Sequence, residues 1–241
     1  MFSKKIDIES IQQNIWNDLQ KTASDNIISL VIYGPNQSGQ YLSSATENNF
    51  LVITQQLAGP DLKQISALQK QWARKYNVYP LFLTKHDILT SADIFPIEFS
   101  NIKESYKTVA GEDVFRDIDI PLIHLRTQCE HSIKGKLIIL RQGYLEKPED
   151  ARSLITNSFP ALMLVFKNIL KLLGDPVPSD RSEIIKSLCA RTNRDENVLN
   201  TIADIAYGKT KCSRHECVSH FNNYLDEWQK IADFVDQLNI T

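Results

Sequence analysis

Residues 30–53 join two apolar runs through a small polar loop whose groups could bind a phosphate and a metal ion. The stretch is LVIYGPNQSGQYLSSATENNFLVI. Glycine and small polar residues let backbone N–H groups come close to a phosphate. Glu47 and Asn49 are two positions apart at the head of the second run, so on a strand they point to one face. Such oxygen ligands can hold Mg²⁺ and support attack of a hydroxyl on a nucleoside triphosphate.

This layout resembles the nucleotidyltransferase superfamily of the DNA polymerase beta type, including the kanamycin nucleotidyltransferases and the small MNT antitoxins. The family pattern is Gly-Ser, a glycine four residues after that serine, and Asp-x-Asp at the head of a hydrophobic strand. In this chain Gly34 and Gly39 occupy the glycine positions, and Pro35 replaces the serine. Glu47 and Asn49 stand where the family has its two aspartates.

The resemblance also implies roles for individual residues. The family takes a third acid from a later strand, and the best candidate is Glu98 in the run FPIEFSNI, which we predict to be a strand. Glu47, Asn49 and Glu98 would be the catalytic positions, and Glu47 and Glu98 would hold Mg²⁺ if the protein is active. The positions implied to contact a nucleotide are Gly34, Pro35, Asn36, Ser38 and Gly39.

Two departures from the family pattern bear on the chemistry. Pro35 has no backbone N–H and no hydroxyl, so the loop loses two donors. Asn49 is neutral, and it offers one carbonyl oxygen where a carboxylate offers two charged oxygens. We therefore expect a degenerate, non-catalytic protein with a nucleotide-binding, regulatory or interaction role. The alternatives are an active Mg²⁺-dependent enzyme that transfers a nucleoside monophosphate to a small molecule or protein, and a plain polar loop between core strands.

A second group of reactive side chains lies in CSRHECVSHF, residues 212–221. Cys212, His215, Cys217 and His220 are potential zinc ligands, but Ser213 and Glu216 have the spacing of a capping box that opens a helix. On that helix only Cys217 and His220 would share a face. Arg214 and His220 also resemble the Arg-x4–6-His motif of HEPN ribonucleases, so RNA cleavage by the C-terminal half is a further alternative.

Bulk composition narrows the function classes. The chain has 241 residues and a formal net charge of −2, which does not favour nucleic-acid binding. Four scattered cysteines do not make a disulfide framework, so we expect a reducing, cytoplasmic location. The most apolar window, FPALMLVFKNILKLLG, is interrupted by two lysines, and we predict a buried helix rather than a membrane span.

The pattern of apolar residues predicts an α+β protein in two parts. Residues 1–120 read as helix, strand, strand, helix and two further strands, which indicates a mixed sheet with flanking helices. Residues 121–241 show only helical spacing and loop chemistry, which indicates an all-α helical bundle. The apolar surface of that bundle could pair with a second copy of the chain or with another protein.

Overall fold

The computed structural model describes residues 6–34, 41–42 and 49–240. Contacts divide the chain into two compact units, Met1–Ile120 and Pro121–Thr241. The first unit contains the described strands and the second contains helices, so the structure has the predicted α+β architecture.

The strands of the first unit form two sheets. They are β1 (Ile6–Asp7), β2 (Ile27–Tyr33), β3 (Tyr41–Leu42), β4 (Asn49–Thr54), β5 (Leu81–Thr84) and β6 (Tyr106–Gly111). The main sheet has the order β5-β4-β2-β6, in which β2 is antiparallel to β4 and β6, and β4 is parallel to β5. β1 and β3 pair separately as a short antiparallel ladder.

Helices cover both faces of the main sheet. They are α1 (Ile8–Ala23), α2 (Gly59–Tyr76), α3 (Lys85–Thr90) and α4 (Pro96–Glu104). On one face, α1 and α2 pack on Leu30, Ile32, Phe50 and Val52. On the other face, α3, α4 and the segment after β6 pack on Val31, Leu51 and Ile53. The two central strands are therefore buried on both faces, which explains why β2 and β4 are nearly continuous apolar runs.

The run FPIEFSNI is a helix, so the predicted strand is wrong. Phe95, Ile97 and Phe99 alternate with polar or small residues, which favoured a strand. In the structure Pro96 opens α4, a position that proline favours because its missing N–H has no partner in a first turn. Ile97, Phe99 and Ile102 are buried, and packing of this face on the sheet decides the conformation.

In the main sheet, the strand that the sequence pattern did not predict is β6, with the sequence YKTVAG. It pairs with β2 along most of its length and is interrupted by one irregularity between Leu30 and Val31. β6 ends at Gly111, which has φ of +89°. The Ile28 carbonyl oxygen would lie 2.1 Å from a Cβ at this position.

The second unit is a bundle of α5 (Leu122–Glu146), α6 (Ala151–Leu172), α7 (Arg181–Thr192), α8 (Glu196–Ala206) and α9 (Arg214–Asp236). α6 lies at its centre and contacts each of the other four helices. Residues Pro148–Leu172 have the length and apolar composition that could cross a membrane, and 56% of the most apolar window is buried inside the protein. Because α6 packs against four neighbouring helices, its apolar composition is that expected of a core helix.

We predict that Gly111→Ala lowers the free energy of unfolding of the first unit by about 3 kcal/mol, because a side chain at this φ meets the backbone of Ile28 and Ser29. Urea unfolding followed by tryptophan fluorescence measures the loss. Gly59→Ala is the matched control, since nothing lies within 4 Å of an added Cβ there, and its stability should stay within about 0.5 kcal/mol of wild type. Equal midpoints for the two variants would contradict the proposed backbone constraint.

Candidate functional site

The first predicted site residues lie at one edge of the main sheet. Tyr33 is the last residue of β2, and its register partners are Asn49 on β4 and Tyr106 on β6. We call this row of three residues the Asn49 edge. Asn49 is the first residue of β4 and is exposed, whereas the five residues after it are buried. The chain therefore presents an exposed amide where the buried strand begins.

Gly34 follows Tyr33 directly and shapes the exit from β2. Its φ of 121° lies in the region that favours glycine, so the chain can turn away from the sheet there. Gly34 N–H donates to the Ser105 carbonyl oxygen at 3.0 Å, and Ser105 Oγ donates to the Gly34 carbonyl oxygen at 2.9 Å. These two hydrogen bonds hold the start of the predicted phosphate loop against the junction between α4 and β6.

Strand alternation determines the side of the sheet on which Asn49 lies. Leu51 and Ile53 belong to the core that includes α3 and α4, and Asn49 has the same parity. Asn49 is therefore on the α4 side of the sheet, the same side as Tyr33 and Tyr106, which pack against that core.

Glu98 is placed differently from the expectation. It lies in the first turn of α4, and its side chain is exposed while its neighbours Ile97 and Phe99 are buried. Ser105, which contacts Gly34, comes seven residues after Glu98. The rise of the helix therefore separates Glu98 from Ser105 by about 10 Å along the helix axis. The structure thus brings Gly34 and Asn49 to one edge, and it places Glu98 toward the far end of a helix that starts away from that edge.

The remaining predicted positions lie outside the described residues. These are Pro35, Asn36, Ser38, Gly39 and Glu47. Within residues 6–34 and 49–240, no three His, Cys, Asp or Glu side chains gather as a metal site would require. The roles of Glu47 in metal binding and of the loop in nucleotide binding stay predictions.

Polar groups near β6 were not identified from the sequence. Tyr106 Oη donates to Asp113 Oδ1 at 2.9 Å, and Arg116 Nε lies 3.7 Å from Asp113 Oδ2. Partial burial, then the hydrogen bond to Asp113, raises the pKa of Tyr106, so its hydroxyl stays protonated at neutral pH. The sequence signal for this strand is the β-branched and aromatic run in SYKTVAGED, which leads into a glycine as the run of β2 leads into Gly34.

The segment Cys212–Phe221 forms the predicted capping box. Ser213 is the N-cap of α9; its Oγ accepts from Glu216 N–H at 3.3 Å, and Glu216 Oε2 accepts from Ser213 N–H at 2.8 Å. Cys212 and Cys217 are joined by a disulfide. They flank the cap at the positions where many helices place a hydrophobic staple, so the bridge closes that first turn covalently. Both thiols of the potential zinc set are therefore already bonded.

The structure does not bring Arg214 and His220 to one face of α9. Six residues of helix separate their directions by about 120°. Arg214 is 71% exposed and lies 3.6 Å from Glu149, which supplies a carboxylate partner for its charge. This arrangement gives no support to the ribonuclease alternative.

The other two cysteines, Cys129 and Cys189, are free and buried. Burial is the main cause that raises the pKa of each thiol to about 12. At pH 8 only about one molecule in ten thousand carries either thiolate, and the thiolate is the reactive form.

We predict that iodoacetamide at about pH 8 labels neither free cysteine in the native oxidised protein. Denaturation without reductant should expose two reactive thiols, and denaturation with reductant should expose all four. Intact-mass spectrometry counts the added groups. Native labelling of Cys212 or Cys217 would show that the bridge does not form.

The comparisons with known proteins agree with this architecture. No protein-family model matches the chain, and no curated protein matches it. Among solved structures, the chain is similar to the spectinomycin adenyltransferase AAD(9) from Enterococcus faecialis, crystallised with ATP and spectinomycin. The TM-score is 0.50 at 15% sequence identity, over 90% of this chain and 99% of the adenyltransferase. The chain therefore has a nucleotidyltransferase-like fold.

Proposed function

We propose that the protein is a degenerate nucleotidyltransferase that binds a nucleotide without transferring it and serves a regulatory or interaction role. The observation that carries this proposal is Asn49, exposed at the head of β4 beside the turn at Gly34. The fold likeness to an adenyltransferase supports the choice of a nucleotide as ligand.

The amide of Asn49 changes the electrostatics of the site. A carboxylate there would repel a triphosphate unless a cation stood between them, and it would contribute a full negative charge to Mg²⁺ binding. An amide carries no charge, and its NH₂ group offers two donors that can meet a phosphate oxygen directly. Nucleotide binding that relies on Asn49 therefore does not need a metal ion, whereas transfer to an acceptor does.

The proposal predicts that ATP binding depends little on Mg²⁺. Isothermal titration of the full chain with ATP should give weak binding that changes by less than about threefold when Mg²⁺ replaces EDTA. Transfer is tested with labelled ATP and with spectinomycin and the chain itself as acceptors. Repeated turnover on any acceptor would contradict the non-catalytic proposal, and an absence of ATP binding would contradict the nucleotide-binding part.

The isosteric substitution Asn49→Asp tests whether this side chain contacts the nucleotide. Asn49→Asp restores a carboxylate, so ATP affinity in EDTA should fall about tenfold and addition of Mg²⁺ should recover it. Asn223→Asp adds the same charge at an exposed position of α9 in the second unit and should leave both affinities unchanged. If the two variants respond alike, the effect comes from net charge and Asn49 does not contact the nucleotide.

A further inference from the structure

The helical bundle contains a cavity that the proposed function does not use. It has a volume of about 510 Å³ and lies among α6, α7 and α8. This is within the range of roughly 300–1,000 Å³ that is typical of small-molecule sites. Its floor is apolar and nearly inaccessible to water: Met163, Ile184, Ile185 and Ala203 line it, and all four are buried.

Three cations from separate elements stand around this floor: Lys167 of α6, Arg181 of α7 and Lys209, which follows α8. Lys209 lies 3.8 Å from Asp204, so a carboxylate partly compensates its charge. Lys167 and Arg181 are both half-buried. Across the described ranges of the chain, neither side chain has a hydrogen bond or a carboxylate within ion-pair distance. With the carboxylates of Asp180 and Asp204 included, the cavity lining carries three cations and two anions, a formal net charge of +1.

Arg181 is nevertheless held in position. Its guanidinium lies over the ring of Tyr207, with Cζ 3.3 Å from the ring centroid. Stacking on an aromatic face leaves the N–H groups at the edge of the guanidinium free to donate in its plane. The side chain is thus restrained before a ligand arrives, which lowers the entropy lost on binding.

The acid at the mouth, Asp180, is already engaged. Its Oδ1 accepts from Ser182 N–H at 2.8 Å, from Ser182 Oγ at 2.5 Å and from Glu183 N–H at 3.3 Å. These hydrogen bonds, first that from the Ser182 hydroxyl, lower the pKa of Asp180 and keep it ionised. Because the first-turn donors of α7 serve this cap, an incoming anion must be recognised by the side chains of Lys167 and Arg181.

We propose that this cavity binds a small phosphate monoester whose organic part is apolar or aromatic. A phosphate monoester carries up to two negative charges and several acceptor oxygens, and the side chains of Lys167 and Arg181 can each donate to it. Its apolar body would lie on the floor formed by Met163 and its neighbours, and removal of the ligand's own apolar surface from water would favour binding. The proposal does not depend on nucleotide binding at the Asn49 edge.

Phenyl phosphate is a suitable probe, because inorganic phosphate tests its charged group alone and phenol tests its aromatic ring alone. Isothermal titration of the full chain should show phenyl phosphate binding at least about tenfold more tightly than either half. Lys167→Gln and Arg181→Gln should each weaken it about tenfold. Lys186→Gln removes a charge from an exposed position of α7 outside the cavity lining and should change nothing. Loss in all three variants, or no saturable binding up to roughly 10 mM, would overturn the proposal.

A second measurement locates the ligand without any substitution. The chain has two methionines, Met1 and Met163, so ¹³C-methyl labelling gives two resonances, one of which reports on the cavity floor. Phenyl phosphate should shift the Met163 methyl resonance through its ring current and leave Met1 unmoved. Asn49→Asp should not alter this shift, so failure here is distinct from failure of the proposed function. Saturable binding that leaves Met163 unmoved would place the ligand elsewhere and overturn the proposal.

Discussion

The burial of β2 on both faces is the constraint on which the first unit depends. Leu30 and Ile32 pack under α1 and α2, and Val31 packs under α3 and α4. A slip of one residue would exchange the two sets and send each toward the wrong helices. The register with β4 and β6 is therefore strongly determined, and with it the position of Asn49 beside the turn at Gly34.

The same strand connects the fold to the candidate site through one turn. Gly34 can take φ of 121° because it has no Cβ, and Ser105 binds both its N–H and its carbonyl group. Gly34 is thus held by Ser105, and Asn49 is held by its pairing with Tyr33. The positions of Gly34 and Asn49 therefore follow from the packing of the core.

The sequence predicted correctly those elements in which one physical signal dominates, and it did not predict those in which two signals compete. β2, β4 and the long helices have apolar runs or 3.6-residue spacing that no other structure satisfies as well. The run around Glu98 alternates like a strand, but Pro96 and the burial of Phe99 and Ile102 make it a helix. The pairing of Cys212 with Cys217 depends on how a helix cap folds, so spacing alone could not separate it from metal binding. Gly34 and Asn49 lie close together only if β2 and β4 pair in one particular register. The motif resemblance implied that register, and the pairing of Tyr33 with Asn49 shows it.

A fold tolerates more substitutions than a catalytic site does, and this difference supports the proposal that the protein is not catalytic. Core positions require apolar volume, which many residues provide, so a fold can persist at 15% identity. A catalytic metal ligand must place an oxygen atom at a particular point, and a carboxylate adds a negative charge that an amide does not supply. Asn49 is exposed, and its backbone pairs with Tyr33 whatever side chain it carries. Exchange of a carboxylate for an amide at this position would therefore weaken metal binding while leaving the packing of β4 intact.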